Sequence, residues 1–554
     1  MTGSRAARLV SLLAFLLARA ATAAAASGSR YLTKDERWMN QRLDHFSPTV
    51  SQLPLRRRGG SKSCGYEHSR NDRCAHDGRA RPFLQDHRRF KQRYFEFLDY
   101  HRAPGGPVFL RICGESSCDG IPNDYLAVSC IAHHRTLILP PQRVHLHGRT
   151  RLIPRTPSRA KPLGSCAQVL AKKFGAAVVT PEHRYYGKSS PFKQLTTENL
   201  RFLSSKQALF DLAVFRQYYQ ESLNARYNRS AGFDNPWFVI GVSYSGALSA
   251  WFRLKFPHLT CGSLASSGVV LAVYNYTDFD KQVGESAGPE CKTVLQEITK
   301  LVDEQLRLDS QSVKALFQAQ MLKNDGDFLF FLADAAAEAF QYGHPDAVCS
   351  PLIHAKKTGK NLVEAYAQFV KDFYIKEMET PPSSYDQEYL KETTPDDSSS
   401  RLWWFQVCSE VAYFQVAPKN DSVRSPMINT KYHLDLCRNV YGEGVYPDVF
   451  MTNLYYGGTK IAASKIVFTN GSQDPWRHAS KQKSSKGMPS YLMKCHNCGH
   501  GTDLRGCPQS PFRIEGDASN CSSPAAVNTV RERIAKHMDL WLSQCHKASE
   551  SGAW

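Results

Sequence analysis

Short apolar runs alternate with segments of helical period through the first half of the chain. The runs 94–98, 108–112, 176–180, 237–241 and 263–267 read as strands, and 206–223 reads as a helix with Leu209, Leu212 and Ala213 on one face. That alternation predicts a mostly parallel sheet covered by helices. From about residue 274 to 424 the strand signals fade. Helix-period segments at 292–308, 313–321, 327–342 and 362–377 take over and predict a helical insertion. Strands resume at 465–469 and 491–493. A last helix is expected to open with Ser523 as N-cap and Pro524 at its first position, burying Val527, Val530, Ile534, Met538 and Trp541. Sheet, helical insertion, sheet is the organisation of an α/β hydrolase carrying a cap: body at 27–273, cap at 274–424, body again at 425–554.

Composition narrows the class. Of 554 residues, 42% are hydrophobic and 22% charged, which excludes a disordered, collagenous or coiled-coil chain. Arg5 and Arg8 precede an apolar run at 9–17 and a small-residue stretch at 18–26, the order of a signal peptide, with cleavage expected near residues 23–26. The run is too short to span a bilayer, and no later apolar run reaches about 18 residues, so no membrane association is expected after cleavage. In a secreted chain the sixteen cysteines are disulfide candidates. Sequons at Asn228, Asn275, Asn420, Asn470 and Asn520 fit the same route.

Candidate chemistry begins at Gly241-Val242-Ser243-Tyr244-Ser245-Gly246, between the strand 237–241 and a helix running to about Phe256. A serine on a sharp strand-to-helix turn needs glycine on both sides, and the turn exposes its hydroxyl at the sheet edge. That hydroxyl needs a histidine to take its proton and a carboxylate to orient the histidine. In this fold the acid and then the histidine follow the serine along the chain. Asp474 follows the strand 465–469, and His500 or His496 follows the next one.

The string Glu182-His183-Arg184-Tyr185-Tyr186-Gly187, the Gly-x-Ser-Tyr-x-Gly elbow, Arg253-Leu254-Lys255-Phe256-Pro257-His258, Asn453-Leu454-Tyr455-Tyr456-Gly457-Gly458, Asp474-Pro475-Trp476 and Gly499-His500 with Asp503-Leu504 together span about residues 94–504. On these the chain resembles the prolyl carboxypeptidase family of serine peptidases, and its Cys- and His-rich loop resembles plant members nearest the thymus-specific branch. The resemblance implies Ser243 as nucleophile, Asp474 as orienting acid and His500, from a Gly-x-His-x-x-Asp pattern, as base. His496 is the rival base, and His478 a surface histidine beside the acid loop. It further implies an oxyanion hole from the amides of Tyr244 and Gly114, and substrate contacts at Glu115 and Trp476. Relatives usually have Gly-Gly-Glu or Gly-Asn-Glu where this chain has Cys113-Gly114-Glu115. Expected substrates are short peptides cut after proline or another small residue, by an exopeptidase-like enzyme in the secretory pathway, extracellular or in a vacuole or lysosome-like compartment, with no metal or organic cofactor. A homodimer is a further expectation. Cys495, His496, Cys498, His500 and Cys507 have spacings a zinc site could use, but an oxidising compartment favours disulfides that hold His500 in place. An esterase or lipase is the alternative enzyme class, because elbow and triad serve esters as well as amides.

Two segments are foreign to that pattern. Removing 50–85 and 128–168 restores a continuous family-like reading of 477 residues. The first carries eight Lys/Arg against Glu67, Asp72 and Asp77, the second seven Lys/Arg and no acid, so they supply twelve of the nineteen net positive charges. Each starts Val-Ser and ends in Gln, as in-frame translated introns would. Most of the charge that would otherwise suggest a nucleic-acid partner therefore sits in them, and none is expected.

Overall fold

The computed structural model describes residues 31–46, 88–122, 124–126, 142–146, 149–153, 170–394, 399–505 and 523–550. The signal peptide, segment 50–85, most of segment 128–168, and Asn520 lie outside them.

One eight-stranded sheet organises the body. Its strands, numbered among themselves, are β1 (Arg37–Arg42), β2 (Arg89–Phe97), β3 (Val108–Arg111), β4 (Ala177–Pro181), β5 (Trp237–Val242), β6 (Gly262–Ser266), β7 (Ile466–Gly471) and β8 (Ser490–Met493). They lie in the order β1-β2-β4-β3-β5-β6-β7-β8. Strand β2 pairs antiparallel with β1 and β4, and every pair from β4 to β8 is parallel. This is the sheet of an α/β hydrolase. All seven expected strands are present. The eighth, β1, escapes the hydrophobic pattern because its inward positions are Met39 and Gln41, and the buried Gln41 amide donates to Gln92 Oε1 and Asp211 O.

Helices cover both faces. On one lie α1 (Ser205–Arg226), whose N-cap Ser204 accepts from the Gln207 amide, and α2 (Tyr244–Lys255), packed through Leu209, Phe215, Tyr219, Leu248 and Trp251. On the other lies α5 (Ala525–Glu550), whose expected apolar face is buried at all five positions. Its start differs from expectation: Ser523 Oγ accepts from Arg531, and the Pro524 carbonyl accepts the first helical amides, Val527 and Asn528.

Between β6 and β7 the described chain is helical. Helix α3 (Thr277–Leu308) is kinked where Gly288 takes φ +71° ahead of Pro289, which is why only its second half shows in the sequence pattern. Helix α4 (Asp325–Gln341) follows, and the helix beginning at Leu362 passes into π-helical turns at Val370–Glu377. No described helix is long and apolar enough to cross a membrane.

The chain closes neatly across both foreign segments. Arg42 sits opposite Arg89 in the β1–β2 ladder and the Leu43 amide donates to Arg88 O at 3.0 Å. Leu170 and Ala171, at the start of the helix Leu170–Phe174, donate to the carbonyls of Tyr125 (3.4 Å) and Leu126 (3.0 Å). Within the second segment, Gln142–Leu146 and Arg149–Ile153 form a hairpin that pairs with no strand of the main sheet.

Candidate active site

Strand β5 ends in a turn that places Ser243 at φ +63°, ψ −127°, a conformation non-glycine residues adopt only under constraint. The constraint is visible on both sides. A Cβ on Gly241 would sit 1.9 Å from Ser245 O, and one on Gly246 2.8 Å from Ser266 O. Both glycines are required, as the pattern implied. The Ser243 amide donates to Ser266 O at 3.0 Å, and Ser245 Oγ donates to Val242 O at 2.6 Å, closing the turn on itself. Tyr244, first residue of α2, carries an amide that an α-helix leaves unused at its N-terminus. Its phenol is clamped from below: Tyr186 donates to Gln406 Oε1 at 2.7 Å, Gln406 Nε2 donates to Tyr244 Oη at 2.7 Å, and Tyr244 Oη donates to His183 Nε2 at 3.4 Å. Burial drives the His183 imidazole down to about 4, so it stays neutral and accepts that bond.

Asp474 and His500 meet where the tops of β7 and β8 bring their loops together. His500 Nδ1 donates to the fully buried Asp474 carboxylate, 2.9 Å from either oxygen. Asp474 Oδ1 also accepts the Trp476 amide at 2.9 Å. With Nδ1 so held, Nε2 of the nearly buried His500 is the free ring nitrogen, and it makes no hydrogen bond among the described residues. His496, the rival base, lies away from this pair on the surface, 2.9 Å from Asp346. His478 is half-buried against Gln282 Oε1 at 3.1 Å.

Among the ties that fasten the histidine loop, three bear on the placing of His500, and only one of these had a sequence signal. Asp503, the acid of the Gly-x-His-x-x-Asp pattern, accepts from Ser266 Oγ (2.6 Å) and Thr469 Oγ1 (3.0 Å), tying the loop to the ends of β6 and β7. The cap supplies the second: the His500 amide donates to Gln341 O, in the last turn of α4, at 2.6 Å. Arg505 is the third, donating to the carbonyls of His500 (2.7 Å), Gln341 (3.3 Å) and Tyr342. Cys495 and Cys498 are joined in a disulfide, so these two are not thiolate ligands for zinc.

Trp476 is half-buried against the helical insertion. Its indole donates to Gln341 Oε1 at 2.8 Å and packs edge-on against Phe279 and Tyr413. Glu115 stands half-buried in the turn after β3. Burial raises its carboxyl, opposed by its own amide and by charge on His500. In the same turn, a Cβ on Gly114 would sit 3.7 Å from Ser245 Oγ, so this turn abuts the elbow. Cys113 is bonded to Cys118. Among the sequons, Asn228, Asn275 and Asn420 are exposed. Asn470 is buried inside β7 and is unavailable to a glycan.

The profile of serine carboxypeptidase S28 matches residues 159–511. Probable serine protease EDA2 of Arabidopsis thaliana is 52% identical over 523 residues, covering 94% of this chain and 91% of that one. Human thymus-specific serine protease is 26% identical over 85% of this chain and 87% of its own length, and mouse lysosomal Pro-X carboxypeptidase 26% identical over 67% and 77%. The chain belongs to the serine carboxypeptidase S28 family and is a serine-type peptidase.

Proposed function

We propose that Ser243, Asp474 and His500 form the catalytic triad of a secreted or vacuolar peptidase acting on short peptides. The observation that carries this is the His500 imidazole, held at Nδ1 by Asp474 and open at Nε2, in a loop whose Gly501 abuts Val242 of the strained serine elbow. Ser243 Oγ attacks the peptide carbonyl carbon while its proton passes to His500 Nε2. Asp474 stabilises the imidazolium, and the amides of Tyr244 and Gly114 receive the oxyanion. Collapse of the tetrahedral adduct expels the amine with the proton from Nε2, leaving an acyl-enzyme. Water then repeats the sequence and releases Ser243. No step calls for a metal or organic cofactor.

A proline-preferring exopeptidase would place Trp476 against the proline or small side chain and Glu115 near the end of the peptide, a reading supported by the half-buried state of both residues and by the contact of the Glu115 turn with the elbow. Disulfides in both body and cap support the secretory route, with Asn228, Asn275 and Asn420 as glycan acceptors. A peptide-library digest by the wild-type chain beside Ser243→Ala tests the reading. Ends released after proline by the wild type alone are expected, and identical digests would sink it.

Residues 50–85 and 128–168 are proposed to be additions to this enzyme rather than parts of it. If Ala127 is joined to Val169, the bonds from Leu170 to Tyr125 and from Ala171 to Leu126 become i to i−4 bonds of one helix. Asp124, whose Oδ1 accepts the Leu126 amide at 3.0 Å, becomes its N-cap. A dominant message retaining both segments would overturn this. A 477-residue version that melts higher and turns over faster than the long form is expected.

A further inference from the structure

The five disulfides among the described residues separate by span. Cys261–Cys545, Cys291–Cys349 and Cys408–Cys437 join residues 284, 58 and 29 apart. Cys113–Cys118 and Cys495–Cys498 join residues only 5 and 3 apart. The chain entropy a bridge removes grows with the logarithm of the ring it closes, so the short rings are the weaker staples of the fold. Both sit in loops that converge on Ser243.

The ring 113–118 encloses Gly114 and Glu115. Its ends are differently held. Before it, the Ile112 amide donates to Ile240 O at 2.9 Å, continuous with the sheet. After it, the Cys118 amide donates to Glu182 Oε1 at 3.0 Å, and Glu182 is locked in a buried pair with Arg93 at 2.6 Å. Arg93 Nη2 also reaches Ser117 Oγ and Asp119 Oδ1, each at 3.3 Å. Without a cross-link, the exposed Ser116 would join Gly114 and Glu115 to the anchored Ser117 as an open loop. With one, Cys113 is tied directly to the anchored Cys118, and Gly114 stays against Ser245.

We propose that the Cys113–Cys118 bridge is a positioning element of the active site, holding the Gly114 amide and the Glu115 carboxyl beside the elbow, and that its reduction disables turnover without unfolding the protein. The proposal rests on the reading of Ser243 as nucleophile and Gly114 as oxyanion donor. Cys113 is half-buried and Cys118 buried, so a small dithiol reaches the Cys113 sulfur first. Its thiolate attacks that Sγ, and the S–S bond breaks with Cys118 leaving as a thiolate that is protonated. The reductant's second thiolate then displaces Cys113. The cysteines end as two thiols and the reductant as a cyclic disulfide, oxidised by two electrons.

The test compares the full chain, secreted with its disulfides formed, with Cys113→Ser/Cys118→Ser and with the cap control Cys291→Ser/Cys349→Ser. Losing one oxyanion donor costs about 10²–10³ in kcat. Misplacing it in the double variant is expected to cost about 10–100-fold in kcat and in fluorophosphonate labelling, with Tm little changed. Amides 114–117 should exchange faster with deuterium. The cap control should show the reverse, a lower Tm with kcat retained. Unchanged exchange at 114–117, or a fall in Tm with kcat intact, overturns the proposal. If the wild type neither labels nor cleaves peptides, the nucleophile reading falls instead, and the exchange measurement still decides whether the bridge restrains the turn.

Discussion

The body and the helical insertion bury their acids in different proportions of charged and neutral partners. In the body, Asp211 pairs with Arg184 at 2.6 Å and Glu182 with Arg93 at 2.6 Å, while Asp474 meets His500 and Asp503 meets the hydroxyls of Ser266 and Thr469. Although burial opposes it, Arg184 keeps the Asp211 carboxyl below its ordinary range. The cap has one such pair, Asp280 with Arg424 at 2.9 Å. Its other buried acids face neutral groups. Asp327 accepts from Gln387 and Tyr432, Asp334 from Tyr385, and Glu410 from Ser205; burial lifts all three to about 6. Glu338, in α4 one turn before the contact with His500, is lifted to about 8 by burial with Asp334 adding to the effect. Arg184 thus holds one body acid, Asp211, charged, whereas burial raises four acids of the helical insertion, as it raises Asp503 in the body.

The largest expected effect is through the proposed triad. Asp474→Asn in the body should lower kcat by about 10⁴, because the His500 tautomer is lost while its place is kept. Steady-state kinetics with an unchanged melting curve is the expected record, and a loss below tenfold would deny Asp474 its role.

Next come the ion pairs. Removing one partner of a buried pair strands the other, at about 3–5 kcal/mol. Asp211→Ala and Asp280→Ala should each lose that much in denaturant unfolding, so the two regions should look alike here.

They should differ with pH. An acid raised on folding binds its proton more tightly in the folded than in the unfolded state, so stability falls as pH rises. The contribution of Asp327, Asp334, Glu410 and Glu338 is fully present below about pH 4 and is lost as pH climbs through 6 and 8. Melting at pH 5 and pH 8 should show the cap loosening at the higher pH, with protease cutting in 274–424 before the body. The smallest effect is Glu338→Gln, which should flatten the upper part of that decline and leave the body's response alone. An equal pH slope in wild type and variant would remove Glu338 from the account.

How far the sequence carried this depends on whether each signal was local. Strands buried on both faces stand out as apolar runs, and seven of the eight were found that way. Strand β1 was hidden because a buried glutamine replaces an apolar residue at Gln41. Ser243 was legible because the elbow's steric demand falls on Gly241 and Gly246, two residues before it and three after. Asp474 and His500 were legible because each follows its own strand. Spacing alone left His496 open as base; position does not, since the same loop turns it outward to Asp346. Gln341 carried no signal, because its carbonyl reaches His500 only when the cap folds back over the body. The bridge to Cys118 likewise explains the departure at Cys113 only once the turn is seen closed.

The central claim, that Ser243 is the nucleophile activated by His500, is tested most directly by titrating the protein with a fluorophosphonate and locating the adduct by mass spectrometry while peptide hydrolysis is followed. One phosphonyl group per active chain, on Ser243, with activity lost in step and labelling abolished in His500→Ala, is the predicted result. An adduct on another serine, or hydrolysis that persists in the fully labelled protein, would contradict it.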